Sequence, residues 1–235
     1  MESHRVVSRD QWIEERKALL TREKEFTRLR DQLSQERCEL PWVRVDKEYV
    51  LEGASGKTTL AELFAGRGQL IVYHFMFDPS WDEGCPSCSF WADNFKGIIV
   101  HLNQRDVSMA AISRAPFEKL AAFQKRMGWS FNWVSSFAND FNHDYHVSFA
   151  PEQLAQGEVI YNYRLVKNSM SELPGISVFH KDPAGAIFHT YSCYARGLDM
   201  LNVAYHYLDL VPKGRDEAGL SRPMAWVRYH DAYAR

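Results

Sequence analysis

Two cysteines separated by two residues, Cys85 and Cys88, form the part of the sequence best suited to chemistry. The residues between them, Pro86 and Ser87, suit the first turn of a helix, where proline is common. A cysteine at the start of a helix forms its reactive thiolate near neutral pH, because free N–H groups there stabilise negative charge. We therefore predict that Cys85 attacks a disulfide or a peroxide. Cys88, one helical turn later, then closes the internal disulfide.

Zinc sites use the same Cys-x-x-Cys spacing, so a metal-binding role is the first alternative. A structural zinc site usually adds a second close pair of ligands, whereas Cys38 and Cys193 stand alone. His143 and His146 are a weak candidate for such a pair. Four cysteines in 235 residues are also too few for a disulfide scaffold. The pattern favours redox chemistry that needs no metal and no organic cofactor.

A strand must position the cysteine pair, and the apolar run at residues 69–77 predicts one that is buried on both faces. Helical spacing follows from residue 88 to about residue 104. A second buried strand is predicted at residues 107–112 and a helix at residues 116–127. In α/β folds the reacting groups lie at the carboxyl ends of the strands. The pair occupies that place after the first of these strands.

The second half of the chain continues the alternation of strands and helices. Residues 132–136 predict a strand, and residues 175–180 and 186–191 predict a β-hairpin. Residues 197–210 predict a final helix, whereas residues 139–157 lack a clear pattern, which indicates an insertion before the hairpin. This order predicts an α/β fold of three layers, in which helices cover both faces of the sheet.

The N-terminal region predicts one long, highly charged helix over residues 9–37, with Ser8 and Gln11 in capping-box spacing. An apolar face recurs along it, from Trp12 to Leu33. This face either packs across its own domain or pairs with a second copy of the chain, which would make a homodimer.

Composition restricts the class of protein. The hydrophobic share is 46% and the formal net charge is −2, which favours a sizeable core and indicates neither a nucleic-acid nor a membrane partner. No apolar run is long enough to span a membrane, and the N-terminus lacks the apolar core of a signal peptide, so we expect a cytoplasmic protein. Three segments are expected: a helical extension at 1–40, an α/β domain at 41–211 and a C-terminal tail at 212–235 that packs on the domain.

Longer motifs surround the pair, first of all QLIVYHFMF at 69–77 and EGCPSCSFWAD at 83–93. The sequence resembles the thioredoxin-like proteins catalogued as domain-of-unknown-function family 899, over nearly its whole length. The resemblance implies a thioredoxin-like or peroxiredoxin-like fold and a dithiol–disulfide oxidoreductase activity, and it implies no particular substrate. Further matches are SRAP at 113–116, GISVF at 175–179, HTYS at 189–192, YARGLD at 194–199, YLDLVPKGRDE at 207–217 and WVRYHDAY at 226–233.

The resemblance also indicates residues that contact substrate. In thioredoxin-like folds a proline before the strand predicted at 175–180 faces the cysteine pair, and Pro174 stands at that position. An ordinary proline at a strand edge is the alternative, and the isomer of its peptide bond stays open. Pro86, Ser87 and Trp81, which lie close to the cysteines in sequence, complete the expected substrate-binding set.

Other polar residues near the pair have two interpretations each. His74 occupies the strand where thioredoxins bury an acid, so it is a candidate proton relay to Cys88 or a satisfied histidine of the core. Arg114 and Arg196 follow or end strands, and they are candidates either for binding a substrate anion or for pairing with surface carboxylates.

We expect a thiol–disulfide oxidoreductase that exchanges electrons with a disulfide or thiol substrate, either a protein or a small molecule, and with an external reductant. One alternative is a thiol peroxidase of peroxiredoxin type. Peroxiredoxins carry Pro-x-x-x-Thr/Ser-x-x-Cys, whereas here Asp82 takes the Thr/Ser position and Pro79 is one residue too close to Cys85. Another alternative is a non-catalytic interaction protein that dimerises through its N-terminal helix.

Overall fold

The first element is a 30-residue helix, α1 (Arg9–Cys38), in the computed structural model, which describes residues 4–234. The predicted capping box is confirmed. The Ser8 hydroxyl accepts a hydrogen bond from the Gln11 N–H, and the Gln11 side chain accepts one from the Ser8 N–H, each at 3.2 Å. The two bonds satisfy donors that the start of a helix leaves free. Within the described residues the chain divides into two compact units, with the boundary between Pro41 and Trp42.

The second unit is built on a mixed sheet. Its central strand pairs in parallel with the strand that follows it along the chain and antiparallel with the first strand of the C-terminal hairpin. The strands are β1 (Val43–Arg44), β2 (Val50–Gly53), β3 (Gly56–Thr59), β4 (Gln69–His74), β5 (Val107–Ser113), β6 (Asn132–Ser135), β7 (Glu158–Tyr161), β8 (Arg164–Lys167), β9 (Gly175–Lys181) and β10 (Ile187–Tyr194). Among the described residues the main sheet has the order β1-β10-β9-β4-β5-β6-β2-β3, and β7 pairs with β8 alone.

The helices of this unit pack on both faces of the sheet. They are α2 (Pro86–Ala92), α3 (Phe95–Asn103), α4 (Phe117–Met127), α5 (Phe141–Asp144), α6 (Pro151–Ala155) and α7 (Val203–Leu208), with 3-10 turns at Glu62–Phe64 and Ala195–Leu201. Side chains of α2, α3, α4 and α7 share one buried cluster with Tyr73 of β4. A second cluster, on the opposite face, joins Leu70 and Val72 of β4 to Phe64 and to Phe141 of α5.

The predicted three-layer α/β fold is confirmed. Strand β4 lies between β5 and β9, and β10 completes the C-terminal hairpin beside β9. The strand alternates its side chains between the two clusters because successive residues of a strand point to opposite faces. Every residue of β4 except Gln69 is at least partly buried, which explains why the sequence there is apolar almost without interruption.

Two predicted helices are each divided in the structure. The helix predicted from residue 88 to residue 104 is interrupted at Asp93 and Asn94. The Asn94 side chain donates to the Phe90 carbonyl at 3.3 Å and so competes with the backbone for that acceptor. The helix predicted at 197–210 is a 3-10 turn followed by α7, which restarts where the Asn202 side chain accepts from the Tyr205 N–H at 3.0 Å.

The segment predicted as an insertion folds into short elements. Two short helices, α5 and α6, lie within residues 139–157, and the β7–β8 hairpin follows them. The hairpin was missed because its strands have only four residues each, too few to establish a period. Val159 and Tyr161 of β7 form a small third cluster with Tyr194 of β10, which anchors the insertion to the sheet.

Gly175, the first residue of β9, has no room for a side chain. A Cβ atom there would lie 2.7 Å from Cδ1 of Tyr194 and 3.1 Å from Cγ1 of Val147. We expect Gly175→Ala to lower the free energy of unfolding by about 1–3 kcal/mol, as overpacked cores do. Urea denaturation at equilibrium measures the change.

Gly97 provides the matched control, since it lies in α3 and a Cβ there meets nothing within 4 Å. Gly97→Ala should raise the free energy of unfolding by about 0.5–1 kcal/mol because alanine favours helices. Equal effects of the two substitutions would contradict the packing described for Gly175.

Candidate functional site

The turn that carries the cysteines is tied to the end of β4. The Cys85 N–H donates to the Met76 carbonyl at 3.0 Å, and the Met76 N–H donates to the Cys88 sulfur at 3.5 Å. Cys85 is the N-cap of α2, with Pro86 in its first turn. The Cys85 carbonyl accepts from the backbone and the side chain of Ser89, each at 3.0 Å. Both cysteines are therefore held at the carboxyl end of the central strand.

The environment of Cys85 favours its thiolate. Its pKa falls from the usual thiol value of 9.0 to about 7, first because the Cys88 thiol donates to its sulfur. The backbone N–H groups of Cys88 and Ser87 and the Ser87 hydroxyl add to the effect, against the opposing influence of burial. Cys85 remains partly exposed, so a substrate has access to a sulfur that is substantially ionised at neutral pH.

Cys88 has the opposite environment. Its side chain is 1% exposed, and burial followed by the hydrogen bond and the charge of Cys85 raises its pKa well above the usual value. A buried thiol of high pKa is a poor first nucleophile, because only the thiolate attacks. The two sulfurs interact directly, yet the first step is open to Cys85 alone.

His74 and Tyr73 lie on opposite faces of β4. The structure does not bring His74 to the cysteines: its ring stacks near Phe141 and Tyr145, and Nε2 lies 2.8 Å from the Ser177 hydroxyl. Burial lowers the pKa of His74 to about 3, so it is neutral. The relay to Cys88 is therefore corrected to a core histidine. The strand period of two, which puts adjacent residues on opposite faces, was the signal for this.

Tyr73 is the polar side chain of β4 that shares the cysteine face, and the sequence analysis missed it. It is 0% exposed and belongs to the cluster that contains Cys88. After burial, the charge of Cys88 is the largest cause of its raised pKa, and Cys85 also contributes. The phenol is therefore a third member of the candidate site.

A cavity of about 630 Å³ opens beside Cys88, a size that suits a small organic molecule. Of the residues predicted to bind substrate, Ser87 and Pro174 line it, whereas Pro86 and Trp81 do not. Trp81 instead packs on the core, and its carbonyl accepts from the Lys119 ammonium at 2.8 Å. The remaining lining comes from Tyr73, Met76, Trp91, Ala195, Arg196, Leu198, Asp199, Tyr205, Asp209, Arg215, Glu217, Pro223 and Met224.

Pro174 is held in place by the insertion. The Tyr161 hydroxyl donates to the Pro174 carbonyl at 2.7 Å and accepts from the Ala195 N–H at 2.9 Å. The described part of the chain contains no cis peptide bond, so Pro174 is trans. One tyrosine of the hairpin thus connects two segments of the cavity wall.

The outer wall of the cavity is an ion-pair network. Arg215 makes two bonds of 2.8 Å to Asp209 and one of 3.0 Å to Asp199. Arg196, a predicted anion-binding residue, lies at the surface with its guanidinium 3.1 Å from Asp199. Glu217 accepts from three donors: the Tyr205 hydroxyl at 2.7 Å, the Met224 N–H at 2.9 Å and the Trp226 indole N–H at 2.7 Å.

The last residues of the chain reach the cysteine turn. The Tyr229 hydroxyl donates to the Gly84 carbonyl at 2.7 Å, next to Cys85. Arg126 of α4 pairs with Asp231 at 2.8 Å and also with Glu83. Gly84 is required here, because a Cβ would lie 2.7 Å from the Phe75 ring.

Arg114, the other predicted anion-binding residue, faces a buried carboxylate. Its guanidinium lies 3.6 Å from Glu172, which is 1% exposed and accepts from the Ser148 hydroxyl at 2.6 Å. Burial raises the pKa of Glu172 to about 8, despite the opposing effects of Ser148 and Arg114. Arg114 thus has a partner within the protein.

Within residues 4–234, no group of three or more His, Cys, Asp or Glu side chains is arranged to hold a metal ion. In the candidate histidine pair, His143 Nδ1 lies 3.0 Å from the Ser148 carbonyl. In the same residues, no helix has the length and apolar character that a membrane span requires.

A family model described as "Bacterial protein of unknown function (DUF899)" matches residues 1–233. No curated protein matches the chain. Similar solved structures include the peroxidoxin BcpB from Mycobacterium tuberculosis, with 14% identity and a TM-score of 0.46 over 69% of this chain and 93% of that one. A peroxiredoxin Q variant from Xanthomonas campestris has 15% identity and a TM-score of 0.45 over 67% and 90% of the two chains. The mitochondrial 2-Cys peroxiredoxin from Plasmodium falciparum has 13% identity and a TM-score of 0.40 over 72% and 92%.

Cys85 should react with iodoacetamide with a pH midpoint near 7, because its pKa is lowered to about 7. Buried Cys88 should remain unmodified in the folded protein. Mass spectrometry of the alkylated peptides, followed over pH 5–10, measures both. A midpoint at the usual thiol value of 9.0 would contradict the stabilisation of the thiolate.

Glu172 should make the stability of the folded protein depend on pH. Its pKa is raised in the folded state from 4.5 to about 8, so the folded state keeps a proton that the unfolded state releases within this window. The free energy of unfolding should therefore fall as pH rises from 4.5 towards 8.

Glu172→Gln removes this titration while keeping a side chain of similar size. Relative to the wild type, the variant should gain about 3 kcal/mol of stability between pH 5 and pH 8. Urea denaturation at several pH values provides the measurement. Parallel curves for the two proteins would show that Glu172 titrates normally.

Proposed function

We propose that this chain, which belongs to the bacterial family DUF899, is a thiol–disulfide oxidoreductase with Cys85 as its nucleophile and Cys88 as its resolving residue. The observation that carries the proposal is the contrast between the two sulfurs. One is accessible with a lowered pKa, and the other is buried with a raised pKa, yet they interact within a single helical turn. A pair of this kind attacks and resolves in a defined order.

The reaction proceeds in two exchanges. The Cys85 thiolate attacks one sulfur of a substrate R–S–S–R′, forms a mixed disulfide with R–S and releases R′–S⁻, which takes a proton from water. Cys88 then loses its proton and attacks the Cys85 sulfur, which releases R–S⁻ and leaves the Cys85–Cys88 disulfide. An external dithiol reduces that disulfide by the reverse exchange, so two electrons pass from this reductant to the substrate.

The geometry supports each step. Hydrogen-bond donors at the start of α2 hold the negative charge of Cys85 before the attack. The cavity lined by Ser87, Cys88 and Pro174 offers room for a substrate group beside the resolving cysteine. The tie between Tyr229 and Gly84 limits movement of the turn, which keeps the two sulfurs within reach of each other.

A thiol peroxidase is the alternative that shares the same nucleophile. Asp82 and Pro79 depart from the peroxiredoxin pattern, and they favour disulfides over peroxides as substrates. The proposal also includes an external reductant, a reducing cytoplasmic setting and pairing of two copies of the chain through α1. Each of the three is a prediction from the sequence.

The proposal predicts that the protein reduces insulin in the presence of dithiothreitol and that Cys85→Ser lowers the rate to that of dithiothreitol alone. Cys88→Ser should instead accumulate a mixed disulfide with the substrate, visible by mass spectrometry, because Cys85 still attacks. Cys38→Ser, which changes an exposed cysteine of α1, is the matched control and should keep full activity.

Turnover that survives Cys85→Ser would overturn the proposal. Consumption of hydrogen peroxide is measured in parallel on the same proteins. Rapid consumption that depends on Cys85, without insulin reduction, would assign the peroxidase reaction instead.

A further inference from the structure

The buried hydroxyl of Tyr73 is the polar group near the cysteines that the proposed reaction does not yet use. Tyr73 is 0% exposed, and its hydroxyl oxygen has no hydrogen-bond partner among the residues that the structure describes. Burying a hydrogen-bond donor without a partner lowers the stability of the fold, so such a donor often has a functional role. Phenylalanine would serve at position 73 if the side chain were needed only for packing.

The direction of the side chain places this hydroxyl on the Cys88 side. Tyr73 shares a core cluster with Cys88 and Trp91 of α2, and all three line the same cavity. His74, the next residue along β4, points into the other layer. The strand thus presents a phenol, and no charged group, to the buried sulfur.

We propose, on the basis of the oxidoreductase function above, that the Tyr73 hydroxyl donates a hydrogen bond to the Cys88 sulfur when this sulfur becomes a thiolate and thereby speeds closure of the Cys85–Cys88 disulfide. In the dithiol the Cys88 sulfur carries its proton and is a weak acceptor. In this state the Tyr73 hydroxyl oxygen has no hydrogen-bond partner among the described residues. The anion formed during resolution is a strong acceptor, because hydrogen bonds to charged groups are stronger than those between neutral groups.

The electrostatics of the pair agree with this geometry. Hydrogen bonding from the Tyr73 side chain to the ionised Cys88 sulfur lowers the pKa of Cys88 and so offsets part of the rise caused by burial. The pKa of Tyr73 itself is raised well above its usual value, chiefly by burial. The phenol therefore stays protonated and acts as a donor, not as the base.

Other titratable groups near the pair do not replace Tyr73. The Tyr161 hydroxyl, on the insertion, already donates to the Pro174 carbonyl and accepts from the Ala195 N–H. Cys85 is consumed in the mixed disulfide during this step. On the outer wall, the carboxylates of Asp199 and Glu217 are engaged with Arg215 and with Tyr205, Met224 and Trp226.

Closure of the disulfide is a thiol–disulfide exchange within the protein. The mixed disulfide Cys85–S–S–R and the Cys88 thiol yield the Cys85–Cys88 disulfide and R–SH. The S–S bond to R breaks, a new S–S bond forms, and the Cys88 proton passes to the leaving thiolate through the cavity. Tyr73 keeps its own proton throughout, so its contribution is to stabilise the charge on Cys88 while this charge exists.

The test uses the reduced full-length protein with 5,5′-dithiobis(2-nitrobenzoic acid), in a Cys38→Ser background that removes the exposed thiol. Attack by Cys85 releases the first thionitrobenzoate at a rate proportional to reagent concentration. Closure by Cys88 releases the second at a rate independent of it. Absorbance at 412 nm in a stopped-flow instrument separates the two phases.

Tyr73→Phe should leave the first phase unchanged and slow the second about tenfold at pH 7.5, with its pH midpoint about one unit higher. A second phase of unchanged rate and pH midpoint would overturn the role of Tyr73. Equal slowing of both phases would also overturn it, since it indicates disturbed packing. Tyr49→Phe is the matched control, because it removes a buried hydroxyl from the opposite face of the sheet, where it bonds Asp144.

Failure of the proposed function has a different signature. A protein that never shows the second phase, with or without Tyr73, does not close the disulfide and refutes the oxidoreductase assignment itself. If Tyr73→Phe does not fold, 3-fluorotyrosine at position 73 keeps the packing and makes the hydroxyl a stronger donor. It should then accelerate the second phase, and an unchanged rate would refute the role of Tyr73.

Discussion

Two hydrogen bonds at Met76 join the cysteine turn to the central strand, and the candidate site depends on them. The Met76 carbonyl accepts from the Cys85 N–H, and the Met76 N–H donates to the Cys88 sulfur. Both bonds use backbone groups of Met76, just beyond the end of β4, so the sheet positions the turn. With the turn held this way, Cys85 lies at the start of α2 and Cys88 lies beneath it in the core.

Burial then gives the two sulfurs different properties. Desolvation disfavours a charged thiolate wherever it acts, but at Cys85 several donors outweigh it, whereas at Cys88 the neighbouring charge adds to it. The resulting order of ionisation is the physical basis for assigning an attacking and a resolving residue. Tyr73, on the central strand β4, lowers the pKa of Cys88 and so offsets part of this effect.

Segments far apart in the sequence complete the site. The insertion supplies Tyr161, which holds the carbonyl of Pro174, and the last turn of the chain supplies Tyr229, which holds the carbonyl of Gly84. Arg126 adds a charged link between the cysteine turn and the C-terminal residues through Glu83 and Asp231. The C-terminal segment is therefore part of the structure around the cysteines, and its aromatic residues explain why it packs on the domain.

The sequence by itself determined the central strands, the cysteine turn and the class of fold. An apolar run before a Cys-Pro-Ser-Cys motif is a local signal, and local signals depend on propensity and period, which the chain carries in each window. The division of the long helix at Asn94 and the β7–β8 hairpin were not predicted, because one side-chain hydrogen bond and two four-residue strands leave no periodic trace. The tertiary structure alone decided which polar residue of β4 faces the cysteines and which distant tyrosines, Tyr161 and Tyr229, reach them. The first depends on which face of a strand a helix covers. The second depends on contacts between residues far apart in sequence, more than 100 positions in the case of Tyr229 and Gly84. Both are properties of tertiary packing, which no local window of the sequence contains.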